Sequence, residues 1–282
     1  MKEGDNLDCS YPLLIDKCFK YVFSDKSILR DFLKSFFELL GNDINLNISE
    51  VQVQSLISGE HITIKDFYGD IVIKIGKKLI ICLEVFNGFE RKDFRKSLMY
   101  TLRYYSNQLK VGMKYYKTKK VIGIILFYDS TYKMDSLMKD YALADKFNIS
   151  DIDDLEIEIF LIKLDNTIKF TYNKSEEPKG IKYLKAIKSE NLEEIKKITK
   201  GDHMLEKLYY RTLAFIGKPK NRGLIDHFES TMRNAKRIAK LEGAEETKIE
   251  TATNLCKLGV SKEIIMQSTG LSEDEISKLK IN

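Results

Sequence analysis

Two acids, Asp70 and Glu84, bracket a pair of apolar runs, residues 71–75 and 79–83, that meet across Gly76-Lys77-Lys78. That pattern predicts a hairpin of two β-strands. Side chains alternate along a strand, so Asp70, Val72 and Lys74 share one face, as do Ile80, Cys82 and Glu84. An acid opens one strand and another ends its neighbour, and antiparallel pairing brings both to one edge. Two carboxylates so placed repel unless a hard cation such as Mg2+ sits between them. The chemistry this suggests is phosphodiester hydrolysis, which needs a positioned water and a way to offset charge as the bond breaks. A lysine two residues beyond the second acid would face the same side, but that place holds Phe86. Lys74, or Arg95 and Lys96 from the following helix, are the basic residues within reach by pattern. Asp70 alone reads more often as a turn or cap than as a ligand. Glu84 does not, because an acid ending so apolar a run is rarely buried without a partner.

The elements that must hold these residues follow from spacing. Asp16 and Ser24 are candidate helix caps, and Ile28, Leu29, Phe32, Leu33, Phe36, Phe37 and Leu40 mark a helix ending at Gly41-Asn42. Residues 51–57 alternate as a strand, and the hairpin follows. After Asn87-Gly88 a long helix is expected over 89–111, closed by Gly112. The continuous apolar run 121–127 predicts a strand buried on both faces, and Leu155–Lys163 a further strand. Helix, three strands, helix, strand implies an α/β protein with a mixed central sheet. Beyond the polar hinge 173–180 the chain reads as helical, with a second break from Gly217 to Gly223. Its end holds two short helices around Thr269-Gly270, the second opened by a capping box at Ser272.

At 282 residues, with 43% hydrophobic and 32% charged side chains, the chain can bury a large core. No apolar window is long enough to span a bilayer, so no membrane partner is expected. Met1 to Asp5 lack an apolar signal core, which makes the cytoplasm the expected location. Cys9, Cys18, Cys82 and Cys256 are scattered and only three histidines occur, which argues against a zinc site. The net charge is +5, yet residues 91–120 hold ten Lys or Arg against Asp93, a local +9 that leaves the rest at −4. Basic residues interleaved with Tyr100, Tyr104, Tyr105, Tyr115 and Tyr116 suit a nucleic-acid backbone with stacking, or else a solvated face over aromatic core contacts.

Residues 16–23, with Asp16, Phe19, Lys20 and Phe23, resemble the "D-x-x-F-K-x-x-F" opening of the Rpn-type recombination-promoting nuclease/putative transposase family, within the PD-(D/E)XK nuclease superfamily. Asp70 with Glu84 is similar to that family's "D…(I/V)E-x-Q" signature. The stretch from Lys96-Ser97 through Tyr100 and Tyr105 to Gln108-Leu109, then Gly112 and Tyr115, resembles its "R-S-x-x-Y…Y-x-x-Q-L…G…Y" block. The end of the chain, from Gly259 to Ile276, is similar to its C-terminal unit. The resemblance implies a restriction-endonuclease-like αβββαβ core over 1–172, a helical connector over 173–218 and a helical C-terminal region over 219–282. It implies a DNA endonuclease tied to recombination or transposition, dependent on Mg2+ or another divalent cation. Asp70 and Glu84 become the metal ligands, and Lys96, standing where the family tends to have Arg, joins them as catalytic. Phe86 stands where the family has Gln and the wider superfamily Lys.

The alternative is a relative that kept the fold and lost the chemistry, acting as a DNA-binding or self-associating protein. The helical C-terminal region is the expected route to a homo-oligomer. A third reading, a helix-turn-helix regulator at residues 259–281, is disfavoured by Glu273, Asp274 and Glu275 on its second helix.

Overall fold

The apolar runs of the first half of the chain become strands β1 (Ile48–Ile57), β2 (Phe67–Ile75), β3 (Leu79–Asn87), β4 (Lys120–Tyr128), β5 (Met138–Ala142) and β6 (Ile157–Lys163). They pair in the order β1-β2-β3-β4-β6-β5. β2 and β3 form the expected antiparallel hairpin, β3 pairs parallel with β4, and β4 parallel with β6. The sheet is therefore mixed and the fold α/β. The computed structural model describes residues 9–41, 46, 48–57, 67–114, 117–128, 132–142, 157–169 and 176–279. Met1 to Asp5, Tyr115, Tyr116 and residues 173–175 of the polar hinge lie outside these.

Helices cover the sheet on both faces. α1 (Asp16–Phe23) and α2 (Lys26–Leu39) precede the strands, and α3 (Arg91–Ser106) crosses from β3 to β4. Successive residues of β6 settle the layering, since they point to opposite faces. Phe36 of α2 meets Phe160 edge-on, whereas Ile159 and Leu161 join Phe94 and Leu98 of α3 in a separate cluster. α3 can sit low on the sheet because β4 carries Gly123 in the middle of its apolar run. A β-carbon there would stand 2.8 Å from Thr101 Oγ1.

α4 (Lys179–Lys188), α5 (Leu192–Thr199) and α6 (His203–Ile216) pack among themselves and against α1 and α2. Polar clamps fix that packing. Lys179 pairs with Asp31 at 2.6 Å and Asp202 at 2.9 Å, and the Tyr183 hydroxyl donates to Asp31 at 2.6 Å. These elements form one compact unit, Met1–Arg222, and Gly223–Asn282 forms a second. The second unit contains most of α7 (Arg222–Lys257), with α8 (Lys262–Thr269) and α9 (Glu273–Ser277). Its small core gathers Ala252, Ile265, Leu271 and Ile276. The capping box at Ser272 forms, with the Ser272 N–H donating to Glu275 at 2.7 Å.

Several local expectations shift. Asp16 is the first residue of α1 and does not cap it; Ile15 stands at the cap. Asp25, not Ser24, caps α2, accepting from the Ser27 and Ile28 N–H groups. The helix expected to run to 111 ends at Ser106, because the Gln108 side chain is committed to the Lys119 backbone, donating to its carbonyl at 2.9 Å and accepting from its N–H at 2.7 Å. β5 is an additional strand without a sequence signal of its own.

Candidate active site

The strand register carries the two acids to one place. β2 and β3 pair Ile71 with Leu83, and one further step along that register sets Asp70 opposite Glu84. The Val85 N–H donates to Asp70 Oδ2 at 3.2 Å, which ties β2 to β3 beyond their last paired residues. β2 begins at Phe67 and β3 runs to Asn87, so the acids lie within the strands and not at their ends as expected. The face that carries Glu84 lies under α3. Val72, Ile80 and Cys82 on this face pack with Val121, Tyr104 and Tyr105.

Local sequence sets how α3 meets Glu84. Gly88 turns the chain at a φ of +74°, open to glycine at little strain, and Phe89 anchors the turn in the core. Glu90 and Asp93 then form a reciprocal capping box that starts the helix. Ser97 follows one turn later, buried against the sheet, and its hydroxyl donates to Glu84 Oε2 at 2.7 Å. Lys96, beside it, is exposed. Its Nζ stands 5.7 Å from the centre of the Phe86 ring and 5.5 Å from that of Tyr100. The Phe86 ring itself packs edge-on against Phe89.

A third contribution comes from α1. Lys20 is only 8% exposed, and its Nζ lies 2.6 Å from Asp16 Oδ1 and 3.1 Å from Asp70 Oδ1. Burial opposes the ammonium, but the two carboxylates outweigh it and raise the Lys20 pKa. The site thus collects Asp16, Lys20, Asp70, Glu84, Lys96 and Ser97 from α1, β2, β3 and α3.

Electrostatics single out Glu84. At 4% exposure its carboxyl is pushed up to about 7, first by burial and then by the charge of Asp70, against the Ser97 hydrogen bond, Lys96 and Lys20. Asp70 is also raised, by burial above all and by Asp16, with Lys20 and the Val85 N–H opposing. Two desolvated carboxylates side by side carry negative charge that the local lysines do not cancel. Oxygen donors with surplus negative charge fit a hard divalent cation such as Mg2+. Among the described residues no group of three or more His, Cys, Asp or Glu converges to hold a metal.

Of the residues singled out by sequence, Asp70 and Glu84 meet, and Lys96 stands beside them. Lys74 does not: it pairs with Glu50 at 2.8 Å, one strand further out. Arg95 is exposed on α3, and the structure gives it no contact with either acid. Tyr100 is buried, and Tyr104 and Tyr105 are half-buried against the cluster of Val72, Ile80, Cys82 and Val121. Lys20, Asp16 and Ser97 were not singled out for the site by their chemistry. The available signals are the family motifs, which contain Asp16, Lys20 and Ser97, and a lysine on a helix whose Cys18, Phe19, Val22 and Phe23 are all core residues.

No curated protein and no solved structure matches the chain. The family model described as PD-(D/E)XK nuclease family transposase matches residues 13–242, from before Asp16 to well into α7, and the chain belongs to that family.

Proposed function

We propose that this protein is a metal-dependent DNA endonuclease acting in recombination or transposition, with Asp70 and Glu84 as the cation ligands. The observation that carries the reading is the pair itself: two carboxylates on adjacent strands, Glu84 buried and Asp70 half-buried, each with its pKa raised by desolvation, within a nuclease family. In the reaction a water oxygen bonds to phosphorus, one P–O bond to the sugar breaks, and the departing alkoxide takes up a proton. Asp70 and Glu84 would hold a divalent cation, which would supply Lewis-acid polarisation of the phosphate and a more acidic water. The chain's own residues do the rest. Ser97 holds the Glu84 carboxylate in orientation through its hydroxyl proton. Lys96 brings a second positive charge to the mouth of the site. The exposed Arg91 and Arg95, one turn apart on α3, are positioned to bind flanking phosphates.

Phe86 supports a second reading, a DNA-binding or self-associating relative without turnover. Its ring belongs to an aromatic cluster with Phe89, and no charge stands at that strand position. Nicking of supercoiled plasmid separates the two. The nuclease reading expects cleavage with Mg2+, none with EDTA, and none by Asp70→Ala or Glu84→Ala. Folded wild type that retards DNA equally with Mg2+ or EDTA and leaves the plasmid intact would establish the second reading.

A further inference from the structure

Hydrolysis of a phosphodiester gains most from a cation that is fixed and shielded from water, because charge acts more strongly there and need not reorganise as the bond breaks. β3 does not provide one: two residues beyond Glu84, on the same face, stands Phe86. Lys96 is exposed on α3 and rests over aromatic rings. Lys20 has the required properties. It is buried, it contacts Asp70 at 3.1 Å, and Asp16, four residues earlier on the same helix, fixes its ammonium at 2.6 Å.

Its helix is also braced. Arg211 of α6 donates through Nη2 to the Tyr21 carbonyl at 2.6 Å, and its guanidinium lies over the Tyr21 ring at 4.6 Å. Lys207 pairs with Asp25, the cap of α2, at 2.9 Å. For stability alone, an apolar side chain at position 20 would serve as well as a buried ion pair. Holding a desolvated ammonium against one of two metal-binding acids calls for a different reason.

We infer that Lys20, aimed by Asp16, is the fixed cation that offsets charge on the reacting phosphate, in the role that the strand position at Phe86 leaves unfilled. The inference rests on the nuclease reading and makes a distinct claim within it. Lys20 acts on the reacting state and hardly at all on DNA affinity, which α3 supplies.

The test compares wild type, Lys20→Met and Asp16→Asn in three measurements. These are Mg2+ affinity by calorimetry, duplex DNA affinity with Ca2+ in place of Mg2+, and single-turnover plasmid cleavage at saturating Mg2+. Thermal melts confirm folding, and Asp16→Asn keeps the test valid should Lys20→Met melt early. Loss of one such cation costs about 100-fold in rate. The expected pattern for Lys20→Met is Mg2+ bound more tightly, because a competing charge has left Asp70, DNA affinity within about 3-fold of wild type, and cleavage down about 100-fold. Asp16→Asn should lose rate in the same direction and to a smaller extent. Cleavage by Lys20→Met equal to wild type at saturating Mg2+ overturns the inference and leaves Lys20 as a neutraliser of Asp70. Mg2+ binding without cleavage by wild type overturns the nuclease reading, and the place of Lys20 within it.

Discussion

Burial makes Glu84 hold its proton. Its folded pKa of about 7 lies above the ordinary carboxyl value of 4.5, so between those two pH values the folded protein keeps a proton that the unfolded chain has lost. The contribution of Glu84 to the stability of the metal-free protein therefore falls as pH rises from about 4.5 to about 7, and then levels off. The span corresponds to on the order of 3 kcal/mol. Glu84→Gln removes this charge and retains an acceptor for Ser97. Chemical denaturation in EDTA at pH 8 should find the variant more stable than wild type, with a flatter profile from pH 5 to 8. A variant less stable than wild type at pH 8 would contradict the electrostatic account. Mg2+ should stabilise wild type at pH 8 and leave Glu84→Gln unmoved, by linkage. At this scale the sequence was half legible. Asp70 and Glu84 stand out because each bounds an apolar run, and period-two alternation gives their shared face. Lys20 did not, because no local rule says which of many ammonium groups will meet an acid fifty residues away.

The elements succeed or fail as carriers of those groups. α3 delivers Ser97 and Lys96, and its depth over the sheet depends on Gly123, where any side chain meets Thr101. Gly123→Val forces α3 outward at the turn next to Ser97. Overpacking of this kind costs about 1–3 kcal/mol, and the displacement should also lengthen the Ser97–Glu84 contact. Urea unfolding reports the first effect and Mg2+ affinity the second; a variant unchanged in both would show that α3 is not seated as described. β2, β3, β4 and α2 were readable because their apolar periods are strong and uninterrupted. β5 was not: at the sheet's edge its Met138–Ala142 run has no fully buried residue and hence no apolar alternation to read. The end of α3 was misplaced for a related reason. The apolar stripe continues through Leu109, while the Gln108 side chain draws the backbone into a turn that only the folded β4 entry reveals.

On the scale of the molecule, charge is distributed with purpose. The sheet and its flanking helices form one compact unit, and the basic excess of residues 91–120 begins on α3, beside the acid pair. Arg91 and Arg95 present cations along that helix, while Glu84 stays buried and Asp70 half-buried. DNA affinity measured against salt should therefore show a steep slope, and each neutralised phosphate contact should lower it by about 1. Arg91→Gln with Arg95→Gln is expected to weaken binding across all sequences and to reduce the slope by up to about 2. An unchanged slope would place the DNA path elsewhere. Gly223–Asn282 is a unit with its own small core, and α9 presents Glu273, Asp274 and Glu275 to solvent. Such a surface repels phosphate, which disfavours DNA reading by α9 and keeps packing or self-association as the proposal for that region.

Everything rests on the claim that Asp70 and Glu84 together form a divalent-cation site. Isothermal titration of Mg2+ into wild type, Asp70→Asn and Glu84→Gln at pH 7.5 or thereabouts tests it without any assumption about turnover. The expected result is saturable binding by wild type with proton release, growing stronger as pH rises through about 7 as Glu84 gives up its proton, and no binding by either variant. Binding that survives both substitutions, or none by folded wild type, would contradict the account.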